Sequence, residues 1–261
     1  MGFLAIFFMG TTLGLFGGGG SLLAVPIFVY LFDINAILAT SYSLFIVGVT
    51  SFFTLIWYSR KGLVKVKKGV LFAIPSLFGV SVSRLFIVPN IPKKITFSEH
   101  ISVSNDALIL IVFAIMVIVV SLYMMKESDG CEKKSKESAL TKNEIGMILV
   151  EGFFVGTLTG VVGAGGGFII VPIMIYFLKL PVKEAVATSL LVIFLKSGVG
   201  FGIDVLHGVE MAWDFLIKVV LVTSFGGGLG VFLSQNIKHN ALQKLFSIGM
   251  LLIGLFMITK E

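Results

Sequence analysis

Long apolar stretches recur along almost the whole chain, at residues 3–32, 36–58, 69–89, 106–125, 145–178, 182–206, 215–234 and 242–259. A helix needs about 20 predominantly apolar residues to cross a hydrocarbon core, and most of these stretches reach or approach that length. They are continuously apolar and rich in Leu, Ile, Phe and Gly, whereas the strands of a membrane barrel are shorter and alternate apolar with polar residues. The fold class that follows is all-α, a polytopic membrane protein. Composition agrees: 57% of the 261 residues are hydrophobic and 13% are charged, against about 45–50% and about 25% in soluble domains. The first stretch has no basic leader region and is longer than a signal-peptide core, so it is expected to belong to the fold.

The net charge of +6 sits in short loops between the apolar stretches, where the inner face of a membrane protein gathers Lys and Arg, and it forms no stripe suited to nucleic acid. Partners of that kind are excluded, and a multi-pass protein of the plasma (inner) membrane is expected. The one cysteine, Cys131, excludes an intrachain disulfide and a multi-Cys metal site. No cofactor and no metal are implied.

One hydrophilic segment, KESDGCEKKSKESALTKNE at 126–144, divides the chain. Its mixed charge and lack of apolar periodicity mark a solvated linker, which leaves membrane-embedded halves at 1–125 and 145–261. A single register pairs Gly10 with Gly156, Gly14 with Gly160, Gly17 with Gly163, Gly19 with Gly165, Gly20 with Gly166, Pro26 with Pro172 and Tyr30 with Tyr176. A two-residue shift then pairs Ala39, Thr40 and Ser41 with Ala187, Thr188 and Ser189. Internal duplication is the economical explanation: two homologous repeats, each with a Gly-broken first helix followed by three transmembrane helices.

The break is read from the glycines. Residues 3–32 would span about 45 Å as one helix, and Gly17, Gly18, Gly19 and Gly20 interrupt the middle. Each forfeits about 0.8–1 kcal/mol of helix propensity relative to alanine. Gly163, Gly165, Gly166 and Gly167 repeat the interruption. If each broken segment is a re-entrant pair of half-helices, the repeats carry an odd number of crossings and are inverted; one long tilted helix would make them parallel. Inversion separates Lys and Arg better between the faces and is the arrangement expected.

Backbone groups released inside a membrane are tolerated where protein or a water-filled cavity receives them. Half-helices beginning near Ser21 and Phe168 would direct amides and partial positive charge at such a cavity, which favours an anion. Close helix packing through small residues is the plainer reading of the same glycines.

Here the chain resembles the TauE/SafE sulfite-exporter family, also described as toluene-sulfonate uptake permeases. The resemblance rests on GLFGGGGSLLAVPIFVYLF at 14–32 with Ala39, Thr40 and Ser41, and on GVVGAGGGFIIVPIMIYFLKLPVKEAVATSLLV at 160–192 with His207 and Gly208. It covers nearly the whole chain. The second copy matches more closely, since Ser21 stands where a glycine is usual. The resemblance implies transport of sulfite, sulfonates or related sulfur anions.

Candidate side chains complete the reading. Thr40, Ser41, Thr188 and Ser189 supply hydroxyls beside the broken segments, unless they only bond the preceding turn. Lys196 follows Ser189 by nearly two turns on one helix face, and a cation at that depth is functional by default. Arg84 is a second candidate cation, and the alternative for both is snorkelling to an interface, the favoured reading for Arg84. Asp204 and His207 lie three apart and form a candidate proton-coupling pair. The expected function is secondary transport of a small anionic substrate by alternating access between the repeats. Substrate contacts are expected at Gly17, Gly18, Gly19, Gly20, Ser21, Thr40, Ser41, Gly163, Gly165, Gly166, Gly167, Thr188, Ser189 and Lys196. The alternatives are an anion channel and a non-transporting scaffold; an enzyme is disfavoured, with no HExxH, acidic cluster or Ser/His/Asp set in sight. A coupling ion, H+ or Na+, and a homo-oligomer stay open.

Overall fold

The computed structural model of the protein describes residues 2–90, 94–98, 101–126, 142–163, 165–234, 237 and 239–260. Its helices are α1 (Gly2–Phe16), α2 (Ser21–Phe32), α3 (Ala36–Ser59), α4 (Val66–Val82), α5 (Asn105–Lys126), α6 (Lys142–Val162), α7 (Gly167–Tyr176), α8 (Val182–Leu206), α9 (Trp213–Ser234) and α10 (His239–Lys260). Helix α4 continues through a π-helical turn, Ser83–Ile87, and a 3-10 turn, Val88–Asn90. Between it and α5 lies a short antiparallel hairpin, β1 (Lys94–Ser98) with β2 (Ile101–Ser104), pairing Ile95 with Val103. The sequence reading held no strand there. These two runs, KITFS and ISVS, alternate apolar with polar residues at a period of two, the pattern that suits a strand. Most of the 126–144 linker, including Cys131, lies outside the described residues.

Helix α3, α4 with its extension, residues 145–162 of α6, α8 and α9 are each long and apolar enough to cross a membrane. In α5 and α10 the described apolar stretches are Phe113–Leu122 and Ser247–Met257. Large apolar side chains such as Phe78, Phe86, Phe154, Phe225 and Phe232 are exposed, as expected of surfaces that meet lipid rather than water.

Both broken segments turn back on themselves. The Phe3 ring, at the start of α1, lies 6.1 Å from that of Phe32, at the end of α2. Gly20 backs onto Met9 and Leu13 of α1, and Gly166 backs in the same way onto Thr159 of α6. A single tilted helix would hold these pairs from about 10 Å to more than about 40 Å apart along its axis, so the re-entrant reading describes this fold.

Two faces can be followed through the bundle. Lys65 pairs with Glu184 at 3.3 Å, and Lys68 Nζ donates to the Leu178 carbonyl at 2.9 Å, which places the 60–65 and 177–181 loops on one face, called here the basic face. On the far face the Ala212 amide donates to Tyr42 Oη at 3.0 Å, and Phe32 packs on Phe215. Helices α3 and α8 cross the core antiparallel, with Phe45 against Phe201 and Phe52 against Phe194. Elements matched in the two halves thus run in opposite directions.

The halves also exchange partners. Helix α1 packs along α9, and α6 packs along α4; α3 meets α9, and α8 meets α4. Small residues make these approaches close, as is usual between membrane helices. Gly10 and Gly14 of α1 face Thr223, Gly227 and Gly230 of α9, while Gly152, Gly156 and Gly160 of α6 face Pro75, Ser76 and Ser83 of the α4 arm. A Cβ at Gly10 or Gly156 would enter the backbone of the facing helix.

Candidate functional site

The two breaks meet at the centre. A Cβ added at Gly18 would stand 2.5 Å from Gly167 Cα, so only glycine backbones fit this crossing. Gly17, Gly18, Gly163, Gly165 and Gly166 take positive φ, from +60° to +74°, the left-handed region in which a Cβ is strained. Helices α2 and α7 start at Ser21 and Gly167, close to the positions expected from sequence, with Pro26 and Pro172 inside them.

Their environments differ. At the first break the amides of Ser21, Leu22 and Leu23 donate to the carbonyls of Gly18, Gly19 and Gly20 at 3.0 to 3.3 Å, and the Ser21 hydroxyl donates back to Gly18 O. The second break is closed in the same manner, with the Ile169 and Ile170 amides donating to Gly166 O at 3.1 and 3.0 Å. Ile193 and Val186 of α8 lie over Gly18 and Gly17. At the second break the side chain of Lys196, fully buried, comes up beside Gly166 and donates to Thr159 Oγ1 at 2.5 Å. Thr159 in turn donates to Val155 O at 2.6 Å, so its lone pairs face the ammonium. Lys196 has no access to an interface, and the snorkelling alternative falls away.

The hydroxyls expected to share one cavity are distributed crosswise. Thr40, of the first half, lies against Gly163 of the second break. The turn of α8 that carries Thr188 and Ser189 lies instead by Gly17, through Val186. Three of the four hydroxyls also make a local bond: Thr40 to Ile37 O at 2.7 Å, Ser41 to Ile37 O at 3.5 Å and Ser189 to Val186 O at 2.8 Å. Thr188 Oγ1 accepts from the Lys65 amide at 3.0 Å, tying α8 to the entry of α4.

Asp204 and His207 are not brought together. The Asp204 carboxylate accepts from Arg84 Nη1 at 3.0 Å, while His207, exposed at the helix end, engages Ile203 O through Nδ1 at 2.8 Å. Arg84 is itself buried, and Nη1 reaches Thr40 Oγ1 at 3.2 Å and Ser41 Oγ at 3.5 Å. Sequence reading sent this arginine to an interface because its neighbours in 69–89 are apolar. The missing signal was its partner, 120 residues away in α8. Near the basic face, at the other end of α3, the Tyr58 hydroxyl donates to Gly14 O at 2.8 Å and lies 3.0 Å from Ser234 Oγ. Among the described residues no group of His, Cys, Asp and Glu is placed to hold a metal.

Two re-entrant helices crossing at glycine, between antiparallel spanning helices and beside a buried lysine, define a polytopic membrane protein with a polar centre. The chain belongs to the sulfite exporter TauE/SafE family, whose model matches residues 2–257. It is 28% identical over 262 residues to the probable membrane transporter protein YunE of Bacillus subtilis, covering 94% of this chain and 92% of that one. A probable membrane transporter protein of Xylella fastidiosa is 26% identical over 257 residues, covering 97% and 92%. Another, of Methanocaldococcus jannaschii, is 27% identical over 266 residues with the same coverage. No solved structure matches the chain. The family and these relatives indicate a membrane transporter.

Proposed function

We propose that the protein carries a small anion, of the sulfite or sulfonate kind, across the plasma membrane by alternating access of its two halves. The observation that carries this reading is Lys196, fully buried beside Gly166 with Thr159 as its hydrogen-bond partner. Placing a lysine at the centre of a spanning helix costs about 2.5–3.5 kcal/mol on insertion scales, which a purely structural role met by one threonine does not offset. An anion at the second break would pair with Lys196 while the glycine backbone lets it approach without an obstructing Cβ. The halves, antiparallel and exchanging partners, supply the kind of pseudo-symmetric pair that can rock about a central site. The family description supplies the sulfur chemistry.

Purified protein in liposomes tests this. Wild type should give saturable flux of sulfite, thiosulfate or a sulfonate, and Lys196→Met should lower it by about a hundredfold or more at equal yield, in line with removing one partner of a buried charge pair. Equal flux in the variant, or a matching loss of folded protein, would remove Lys196 from the site. A conductance without saturation would make the protein a channel.

A further inference from the structure

Arg84 uses its guanidinium unevenly. Nη1 serves Asp204, Thr40 and Ser41, whereas Nε and Nη2 are buried and, among the described residues, have no hydrogen-bond partner. The neighbouring Ser83 hydroxyl is also buried and unpartnered. Nε and Nη2 are the pair whose N–H bonds project side by side, the edge with which arginine grips two oxygens of one oxyanion. Leaving such an edge unmet in a buried position carries the full desolvation penalty of a charged donor.

Three further features single out this place. Arg84 lies in the π-helical turn Ser83–Ile87, a local irregularity that often marks functional positions in helices. Thr40, which accepts from Nη1, is also the residue against which Gly163 packs, so Arg84 and the second break share a neighbour. Asp204 holds the opposite edge of the guanidinium and fixes its orientation, as a positioning residue rather than a binding one.

We propose that the Nε–Nη2 edge of Arg84 is a second anion site, specific for oxyanions that present two terminal oxygens to a planar fork. Resting on the anion-transport reading above, it assigns the selectivity for oxyanions over halides to Arg84, while Lys196, a point charge, attracts either. Asp204 neutralises Arg84 in the empty protein and limits how tightly an anion is held.

The test is a thermal-shift titration of protein in lipid nanodiscs with sodium sulfite, thiosulfate, sulfate, methanesulfonate and chloride. Arg84→Lys keeps the charge and removes the fork; its oxyanion affinity should fall about tenfold or more while any chloride response is unchanged. Asp204→Asn keeps an acceptor for Nη1 and removes the competing charge; its oxyanion affinity should rise several-fold. Should Arg84→Lys fail to fold, Asp204→Asn decides, and an unchanged or weakened oxyanion affinity there overturns the proposal. Wild-type oxyanion affinity in Arg84→Lys, with binding lost in Lys196→Met, overturns this site alone. Wild-type binding in Lys196→Met, with loss in Arg84→Lys, overturns the Lys196 reading alone. A wild-type protein that binds no anion overturns both.

Discussion

The two glycine breaks share a backbone and differ in what surrounds it. Both turn the chain back, both sit before a proline-containing half-helix, and each touches the other at Gly18 and Gly167. Both close amides on turn carbonyls and both meet Ile193, yet the first is covered by Val186, while the second faces Lys196, Thr159 and Thr40. The same contrast recurs at the ends of the bundle, where Tyr58 on Gly14 O and Ser234 near the basic face stands against Asp204 on Arg84 near the far face. The two breaks share a backbone device, and the side chains placed around it differ in charge.

Gly166→Val should produce the largest effect. At φ +74° a β-branched residue is strained by about 1–3 kcal/mol, and its side chain would enter the space of Thr159 and Lys196; flux should vanish. The matched change Gly20→Val, at an ordinary φ of −65°, drives a Cβ into the backbone at Met9 and Leu13 and should lower yield of folded protein instead. Equal yield and equal flux losses in the two variants would erase the distinction between the breaks.

Thr159→Val comes next. It removes the hydroxyl that Lys196 bonds, a charge-assisted contact of about 1.5–3 kcal/mol, and should change the half-saturating anion concentration about tenfold with folding intact. An unchanged value would mean that Lys196 takes its position from the glycine backbone alone.

Tyr58→Phe tests the neutral end. Losing the hydroxyl that joins α3 to Gly14 O and Ser234 should cost about 1–3 kcal/mol of stability, read as a lower unfolding temperature in nanodiscs, with anion affinity unaltered. A shift in affinity as large as that of Thr159→Val would make the basic-face end part of the binding site. Gly198→Ala is the smallest change: it lies in α8 with nothing near its Cβ position, and alanine should leave flux unaltered and stabilise by about 1 kcal/mol at most.

Much of this was legible in the chain. The glycine runs announced the breaks because four glycines cannot hold a helix, and Gly17 with Gly163 in register announced that the same device occurs in each half. The intramembrane position of Lys196 was visible as a lone cation in an apolar run. What a one-dimensional reading misjudged was contact at a distance. It paired Asp204 with His207 because they are three residues apart, while the structure sends Asp204 to Arg84 across the bundle. It grouped Thr188 and Ser189 with Thr40 and Ser41 around one cavity, while the folded halves distribute them to opposite breaks.

Sequence by itself determined that this protein lives in a bilayer, where its helices would be interrupted, and which half-helices would begin there, because hydropathy and glycine propensity act over a few neighbouring residues. Only tertiary structure decided that the breaks cross each other, that Lys196 serves the second and that Arg84 is held by Asp204 with one edge unspent. Those outcomes depend on the antiparallel crossing of α3 and α8 and on the exchange of packing partners between halves, and close approach between distant backbones is a property of the assembled bundle rather than of any segment.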